Sequence, residues 1–323
     1  MPVFEKRSTM PAPVDEVLAA YRDRPRLRVA ITGASGFIGG ALTTLLERGD
    51  HEVVRLTRRR DAGDGWVHWD PSVGVIDAAS LDGVDAIIHL AGTSISGLWT
   101  PRRRHDILES RRQGTELIAG AAASLQRPPK VVVSASAVGW YGTRGEEELT
   151  EESGPGDGFL AEVCRIWEDS LAPARAAGIR VVSTRFGIVL GGAGGLLTTM
   201  LPAFKLAAGA RLGSGDQWMS WVAVGDVLGA VLHALYDESL SGPVNVTAPA
   251  PVTNREFTAT LGRVLRRPAP FAVPRAVLER VLGEMARDLL LTSQRVRPAR
   301  LTAAGFSWRF PDLEAALRFE LGR

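Results

Sequence analysis

Leu27-Arg28-Val29-Ala30-Ile31-Thr32-Gly33-Ala34-Ser35-Gly36-Phe37-Ile38-Gly39 is the stretch whose reading decides the fold. Its first six residues are mostly apolar and β-branched, as in a strand buried on both faces. Glycines follow at 33, 36 and 39, and an apolar-periodic segment then runs over 37–47 and ends near Gly49. Strand, glycine turn and helix in that order open a βαβ unit. Gly33 permits the sharp turn, Gly36 lets the backbone approach a phosphate with no Cβ between, and Gly39 lets the helix pack on the strand. The helix N-terminus offers free N–H groups and the positive end of its dipole to an anion. Gly33, Ser35, Gly36, Phe37, Ile38 and Gly39 are therefore the candidate contacts of a pyrophosphate-binding turn.

The alternation continues downstream. Strands are expected at 53–56, 66–69, 85–90, 131–134 and 179–183, with helices over 101–124 and 159–177. This pattern predicts an α/β fold, a doubly wound parallel Rossmann sheet, over 27–190. Beyond Leu190 the style changes. Residues 191–195 (Gly-Gly-Ala-Gly-Gly) read as a flexible break, 196–208 and 222–236 as helices, and 244–246 as a strand. The segment 221–248 is expected to return to the sheet. Residues 191–220 and 249–323 are expected to form a smaller, mostly helical C-terminal substrate domain, punctuated by Pro268, Pro270, Pro274 and Pro298. Residues 1–26, rich in Pro and Arg, read as an N-terminal extension in which 14–21 is either one short helix or the remnant of another module.

Composition narrows the classes. Of 323 residues, 45% are hydrophobic, enough to bury a large core. The formal net charge is +2, and Arg58-Arg59-Arg60 and Arg102-Arg103-Arg104 are nearly balanced by carboxylates, so no nucleic acid partner is expected. The single cysteine, Cys164, suits a reducing compartment. Charges at Glu5, Lys6 and Arg7 argue against a signal peptide, and no run of about eighteen apolar residues suggests a membrane span. A cytoplasmic protein, monomer or homodimer, acting on a small molecule is the expectation.

The end of the second strand selects the cofactor. An acidic residue there would bond the ribose 2′-hydroxyl of NAD, whereas arginine suits a 2′-phosphate. Leu56-Thr57-Arg58-Arg59-Arg60 carries no carboxylate until Asp61, so NADP is expected, with NAD as the alternative, and Arg58 and Arg59 are the candidate phosphate ligands. Asp70 is a candidate on the adenine side, and Leu90-Ala91-Gly92 ends a strand in small residues where the cofactor backbone would pass.

These residues, with Ser134-Ala135-Ser136, Tyr141-Gly142 and Arg185-Phe186-Gly187-Ile188-Val189-Leu190-Gly191, resemble the extended short-chain dehydrogenase/reductases, the NAD(P)-dependent epimerase/dehydratases. Ser110-Arg111 with Gly114-Thr115, Cys164 with Trp167-Glu168, the run 213–221, and Leu282-Gly283-Glu284-Met285 through Ala304-Gly305-Phe306 narrow the likeness to the sugar-nucleotide-epimerase-like subfamily labelled "cell division inhibitor". The resemblance spans roughly 27–323. It implies that Ser134, Phe186 and Gly187 join the cofactor contacts.

The resemblance also implies a proton-transfer pair, a Tyr with a Lys four residues on, the ammonium stabilising phenolate. Four residues after Tyr21, Tyr141 and Tyr236 stand Pro25, Gly145 and Leu240, so no such pair exists in the chain. Where it belongs stands Gly158-Phe159-Leu160-Ala161-Glu162-Val163-Cys164. Ser136 resembles the substrate-orienting serine, or caps a turn. Tyr141 is a displaced acid or a packing residue. Glu162 is an acid/base or a solvated helix glutamate. Cys164 is a pocket thiol or packed and inert. Gln217 and Trp218 are the substrate-loop candidates, and Ala223 stands where the subfamily often has His. No metal-ligand spacing and no G-x-S-x-G elbow occur. Two functions stay open: an NADP(H)-dependent oxidoreductase or epimerase-like enzyme on a small carbonyl or hydroxyl substrate, and a non-catalytic NADP(H)-binding sensor or scaffold.

Overall fold

A computed structural model describes residues 13–59, 63 and 65–323. Helix α1 (Pro13–Ala20) precedes β1 (Arg28–Thr32), α2 (Phe37–Arg48), β2 (Glu52–Thr57), β3 (Trp66–Asp70), β4 (Val75–Ile76) and β5 (Ala86–His89). Next come α3 (Pro101–Ser124), β6 (Val131–Ala137), β7 (Glu148–Leu149), α4 (Phe159–Asp169), α5 (Ala172–Ala176), β8 (Arg180–Phe186) and β9 (Ile188–Gly191). The remainder runs α6 (Gly195–Lys205), β10 (Ala210–Leu212), β11 (Trp218–Met219), β12 (Trp221–Ala223), α7 (Val224–Tyr236), β13 (Gly242–Val246) and β14 (Val252–Thr253). It closes with α8 (Asn254–Leu265), β15 (Phe271–Val273), α9 (Arg275–Leu282), β16 (Arg295–Val296), α10 (Ala299–Ala303) and α11 (Leu313–Leu321).

The central sheet has the order β13-β8-β6-β5-β1-β2-β3-β4 and is parallel except where β4 folds back on β3. Val29, Ala30 and Ile31 are fully buried because helices cover both faces. Leu42, Leu45 and Leu46 of α2 join the core on one face, with Val227, Val231 and Leu235 of α7. Ile118, Ala119 and Ala122 of α3 cover the other. A third core, with Phe204, Phe257, Leu261 and Leu317, joins α6, α8 and α11 in the C-terminal part. Strand order reverses between β1 and β5, the switch point at which such sheets open a ligand crevice.

One buried histidine fixes that crevice. The Thr32 hydroxyl contacts His89 Nδ1 at 2.7 Å, and His89 Nε2 contacts Thr115 Oγ1 of α3 at 3.0 Å. Thr32 Oγ1 also accepts the N–H groups of Leu90 and Ala91 (3.1 and 3.2 Å), so the hydroxyl proton goes to the ring. Burial pushes His89 down to about 3, and the ring stays neutral.

Several expectations need correction. The helix expected over 159–177 breaks into α4 and α5, because Pro173 enters with no N–H to continue the ladder. The stretch 222–236 does not start as helix: Trp221–Ala223 is the buried strand β12, paired with Ile188–Leu190 of β9. Residues 191–195 are not a loose break but a tight reversal, with bridges Leu190 to Gly195 and Gly191 to Gly194. Its glycines make room for an aromatic ring: a Cβ on Gly191 or Gly194 would lie 2.3 or 2.5 Å from Phe37. The tail beyond 254 is helical but also carries β15, β16 and a π-helical turn over Ala286–Leu290. Of the stretch 14–21, all but Tyr21 lies in helix α1 (Pro13–Ala20), and Val17, Leu18 and Tyr21 pack against the core.

Glu320 of α11 ties the C-terminal part to this reversal. Its Oε2 accepts the Gly192 N–H at 3.0 Å, while Oε1 is buried without a hydrogen-bond partner among the described residues. Burial raises this carboxyl from 4.5 to about 7, with Asp226 adding to the rise and Arg309 and the Gly192 N–H opposing it. The folded chain therefore holds a proton that the unfolded chain gives up in the ordinary glutamate range, so this contribution to stability falls as pH rises toward 7. The fall is read as a difference: relative to Glu320→Gln, the wild type is expected to lose stability in urea unfolding as pH rises from 5 to 8, because neutral buried His89 gives both proteins an opposite rise up to about pH 6.5. The slope left in Glu320→Gln combines a fall from Asp226, also raised by burial, with the rise from His89 and His51, both lowered by burial.

Candidate functional site

The glycine turn is built to keep a phosphate-sized cradle open. Gly33 has φ +72°, and a Cβ there would lie 2.9 Å from the Leu90 carbonyl carbon. A Cβ on Gly39 would lie 2.1 Å from the Gly33 carbonyl oxygen, so only glycine lets α2 begin this close to β1. Ser35 and Gly36 are exposed at the opening, with Phe37 and Ile38 half-buried behind them. No side chain caps α2, its N-cap being Gly36, and its first turn holds no acidic residue. The leading N–H groups and the dipole are thus left for an anion, and the cradle fits the pyrophosphate of a dinucleotide. Leu90, Ala91 and the exposed Gly92 line the far side of the turn, past the end of β5.

Arg58 and Arg59 follow β2 and are exposed, and the Arg59 N–H donates to Thr57 Oγ1 at 3.2 Å. Arg60 and Asp61 lie outside the described residues. Asp70 ends β3, but its carboxylate accepts the Ser72 N–H and hydroxyl (3.0 and 2.6 Å). These bonds hold it below the usual aspartate range, with help from the Arg58 charge. Its first duty is to cap the turn after β3.

Of three further expected contacts, Ser134 and Phe186 are buried and Gly187 is half-buried. Ser134 is fully buried within β6 and donates to the Ala135 carbonyl at 3.2 Å. Phe186 is buried at the end of β8. Gly187 has no room for a Cβ because the Ser220 carbonyl oxygen would sit 2.4 Å away, a constraint from the entry to β12.

The expected acid/base residues are redistributed. Phe159 and Val163 are buried in an apolar cluster with Ile107, and Arg104 lies 4.5 Å over the Phe159 ring. Glu162 lies on the exposed side of α4, because the helix turns its Val163, Cys164 and Trp167 face inward. Cys164 is buried, and burial pushes its thiol up to about 11, which makes it a packing residue.

The carboxylate that reaches the strand ends is Glu168, one and a half turns further along α4. Parallel register sets Ser136, Arg185 and Asn245 side by side on β6, β8 and β13. Across that row Ser136 Oγ donates to Glu168 Oε1 (2.6 Å), and Arg185 grips both carboxylate oxygens at 2.8 Å. Arg185 also donates to the Tyr141 hydroxyl (3.0 Å), which donates to Asn245 Oδ1 (2.7 Å). Tyr141 is fully buried, and burial raises its phenol above the usual range against the pull of the Arg185 cation. Its hydroxyl is thus engaged on both sides within this network. Ser136, 2% exposed, already gives its proton to Glu168.

Gln217 and Trp218 hold their own loop. Gln217 Nε2 donates to the carbonyls of Leu212 and Leu290 (3.1 and 3.3 Å). Trp218 Nε1 donates to Glu146 (2.7 Å), and Arg295 lies 4.6 Å over the Trp218 ring. Nearby, a cleft of about 330 Å³ opens at the start of α4, lined by Gly139, Gly142, Gly158, Leu160, Arg287 and Asp288. Asp288 Oδ2 accepts the Phe159 N–H at 2.9 Å, so a C-terminal residue caps the helix on which the cleft rests.

The residues that the sequence reading missed are Glu168 and Arg185. A charged residue within a buried strand demands a counter-charge, and that signal was present in Arg185. Removing one partner strands the other charge out of water. Glu168→Ala is expected to cost about 3–5 kcal/mol in urea unfolding. Glu168→Leu combined with Arg185→Met is expected to cost clearly less than the single variant. A loss below about 1 kcal/mol in Glu168→Ala would show the pair to be dispensable.

Comparison with known proteins agrees with this architecture. The profile of the NAD dependent epimerase/dehydratase family matches residues 29–246, and a domain of unknown function, DUF1731, matches 273–320. The Epimerase family protein Mb2239 of Mycobacterium bovis is 41% identical over 296 residues, 91% of this chain and 98% of that protein. The human Epimerase family protein SDR39U1 is 37% identical over 298 residues, covering 90% of this chain and 99% of its own. The crystal structure of human SDR39U1 (isoform 2) with NADPH superposes with a TM-score of 0.84 over 92% of this chain and all of that one. A nucleoside-diphosphate sugar epimerase of Corynebacterium glutamicum, 38% identical, has a TM-score of 0.79 over 96% of this chain and 62% of its own. The chain belongs to the NAD dependent epimerase/dehydratase family and carries that family's Rossmann sheet together with a DUF1731 segment.

Proposed function

We propose that the protein is an NADP(H)-dependent oxidoreductase or epimerase-like enzyme acting on a small carbonyl or hydroxyl substrate. The observation that carries this reading is the cleft of about 330 Å³ at the start of α4, beside the residues that stand in for the acid/base pair. A space large enough for a small molecule is kept open there between α4 and the C-terminal part. The α2 amides at Phe37 and Ile38 would hold the pyrophosphate, and Arg58, with Arg59, the 2′-phosphate. The NADPH in the human relative's crystal structure supports that choice over NAD. When bound, the nicotinamide supplies hydride donor or acceptor chemistry. Ser136, its proton committed to Glu168, would accept a hydrogen bond from a substrate hydroxyl and not donate one to a carbonyl.

A second reading has its own support. No Tyr or Lys stands in the segment Gly158–Cys164, at the start of α4, where the proton-transfer pair is expected, and the hydroxyls of Ser136 and Tyr141 are already bonded internally. These features favour a non-catalytic NADP(H)-binding sensor. Hydride transfer separates the two: label moving from 4-deuterated NADPH into an added carbonyl compound supports the enzyme, and binding without transfer across a broad substrate set supports the sensor.

The cofactor assignment is tested by titrating NADPH and NADH against the wild type and Arg58→Asp. NADPH is expected to bind tighter than NADH, and the substitution to weaken NADPH by roughly tenfold to a hundredfold, the worth of charge-assisted hydrogen bonds, with NADH nearly unaffected. Equal affinities for the two nucleotides, unchanged in Arg58→Asp, would remove Arg58 from the site.

A further inference from the structure

Two guanidinium groups are held at the carboxyl end of the sheet, and their charges are treated differently. Arg185 is neutralised by a two-pronged bond to Glu168. Arg111, on α3, has no carboxylate partner among the described residues. Its Nη1 donates to the carbonyl oxygens of Thr93 and Ile107, both at 3.0 Å, and its guanidinium lies 4.7 Å over the Trp167 ring. A Cβ on Gly92 would come within 3.3 Å of its central carbon. Arg111 is thus sandwiched between the Leu90–Gly92 turn, on the cofactor side, and the inner face of α4.

Neutral carbonyl groups satisfy N–H donors but leave the positive charge standing. A guanidinium drawn out of water without a counter-ion is costly, and a fold keeps one where a ligand benefits from it. Burial lowers the Arg111 pKa, and the Cys164 thiol is the titrating group that opposes this. Cys164 closes the segment Gly158–Cys164 where the short-chain dehydrogenase pattern expects its lysine, and no lysine stands there. The one cation of α4, Arg165, is exposed, so the guanidinium on its inner face comes from Arg111 of α3.

We infer that Arg111 is the fixed cation of the cofactor cleft and that its charge makes the site favour reduced NADPH over oxidised NADP⁺. The inference rests on the NADP(H) reading and deepens it. The two nucleotides carry the same phosphates and differ in the ring, which is neutral when reduced and positively charged when oxidised. An uncompensated guanidinium beside the cleft repels only the oxidised ring.

The test is the ratio of the NADP⁺ and NADPH dissociation constants, measured by titration calorimetry on the full-length protein. Wild type is expected to prefer NADPH by on the order of tenfold, the effect of one unit charge through a partly screened medium. Arg111→Lys keeps the charge and is expected to keep most of that preference. Arg111→Met keeps the stem packed on Trp167, and Arg111→Gln retains a hydrogen-bond donor. Both are expected to bring the ratio toward one while NADPH still binds, with unfolding midpoints confirming that they fold. Equal affinities in wild type, or an unchanged ratio in the neutral variants, would overturn the inference and leave Arg111 a stacking residue. If wild type binds neither nucleotide, the NADP(H) reading itself fails.

Discussion

Gly39 of α2 lies so close to the Gly33 carbonyl that a Cβ there would be 2.1 Å from its oxygen. This contact sets where α2 starts, and so where its uncapped amides point. It also sets how β1 meets the Leu90–Ala91 turn, which packs against Gly33 and hangs by two N–H bonds from Thr32. Phe37, in the first turn of the same helix, seats its ring over Gly191 and Gly194. The adjacent Gly192 is held by Glu320 of α11. The phosphate cradle, the switch point and the last helix of the chain are thus connected through a few backbone approaches that tolerate almost no change in volume.

A second layer of organisation is electrostatic. The row Ser136, Arg185 and Asn245 crosses three neighbouring strands, and Glu168 and Tyr141 complete it from α4 and the turn after β6. The side chains of Ser136, Glu168, Arg185, Tyr141 and Asn245 are hydrogen-bonded to one another, which makes this row rigid. Arg111, held by carbonyl oxygens and stacked on Trp167, contributes charge without a proton.

The fold was legible in the sequence where constraints are local. Gly33, Gly36 and Gly39 announce their turn because each spacing answers a nearby steric demand, and the apolar strands announce a sheet covered on both faces. Prediction weakened where distant partners decide. Nothing near Gly191 reveals that Phe37 requires its missing Cβ, so a packed reversal read as a flexible break. Glu162 drew attention by lying in the right helix, whereas its rotation on α4 sends it to solvent and Glu168 inward. Asp70 was read for its place at a strand end, but Ser72, two residues on, claims its carboxylate. The missing Tyr and Lys could be established from sequence by enumeration; what replaces them required three strands in register.

The central claim is that the α2 N-terminus and Arg58 together form a dinucleotide site that reads the 2′-phosphate. A crystal structure of the protein saturated with NADPH tests it most directly. The account predicts pyrophosphate oxygens on the backbone amides of Phe37 and Ile38 and the 2′-phosphate against the Arg58 guanidinium. Density for NADPH elsewhere, or an α2 N-terminus empty at saturating cofactor, would contradict it.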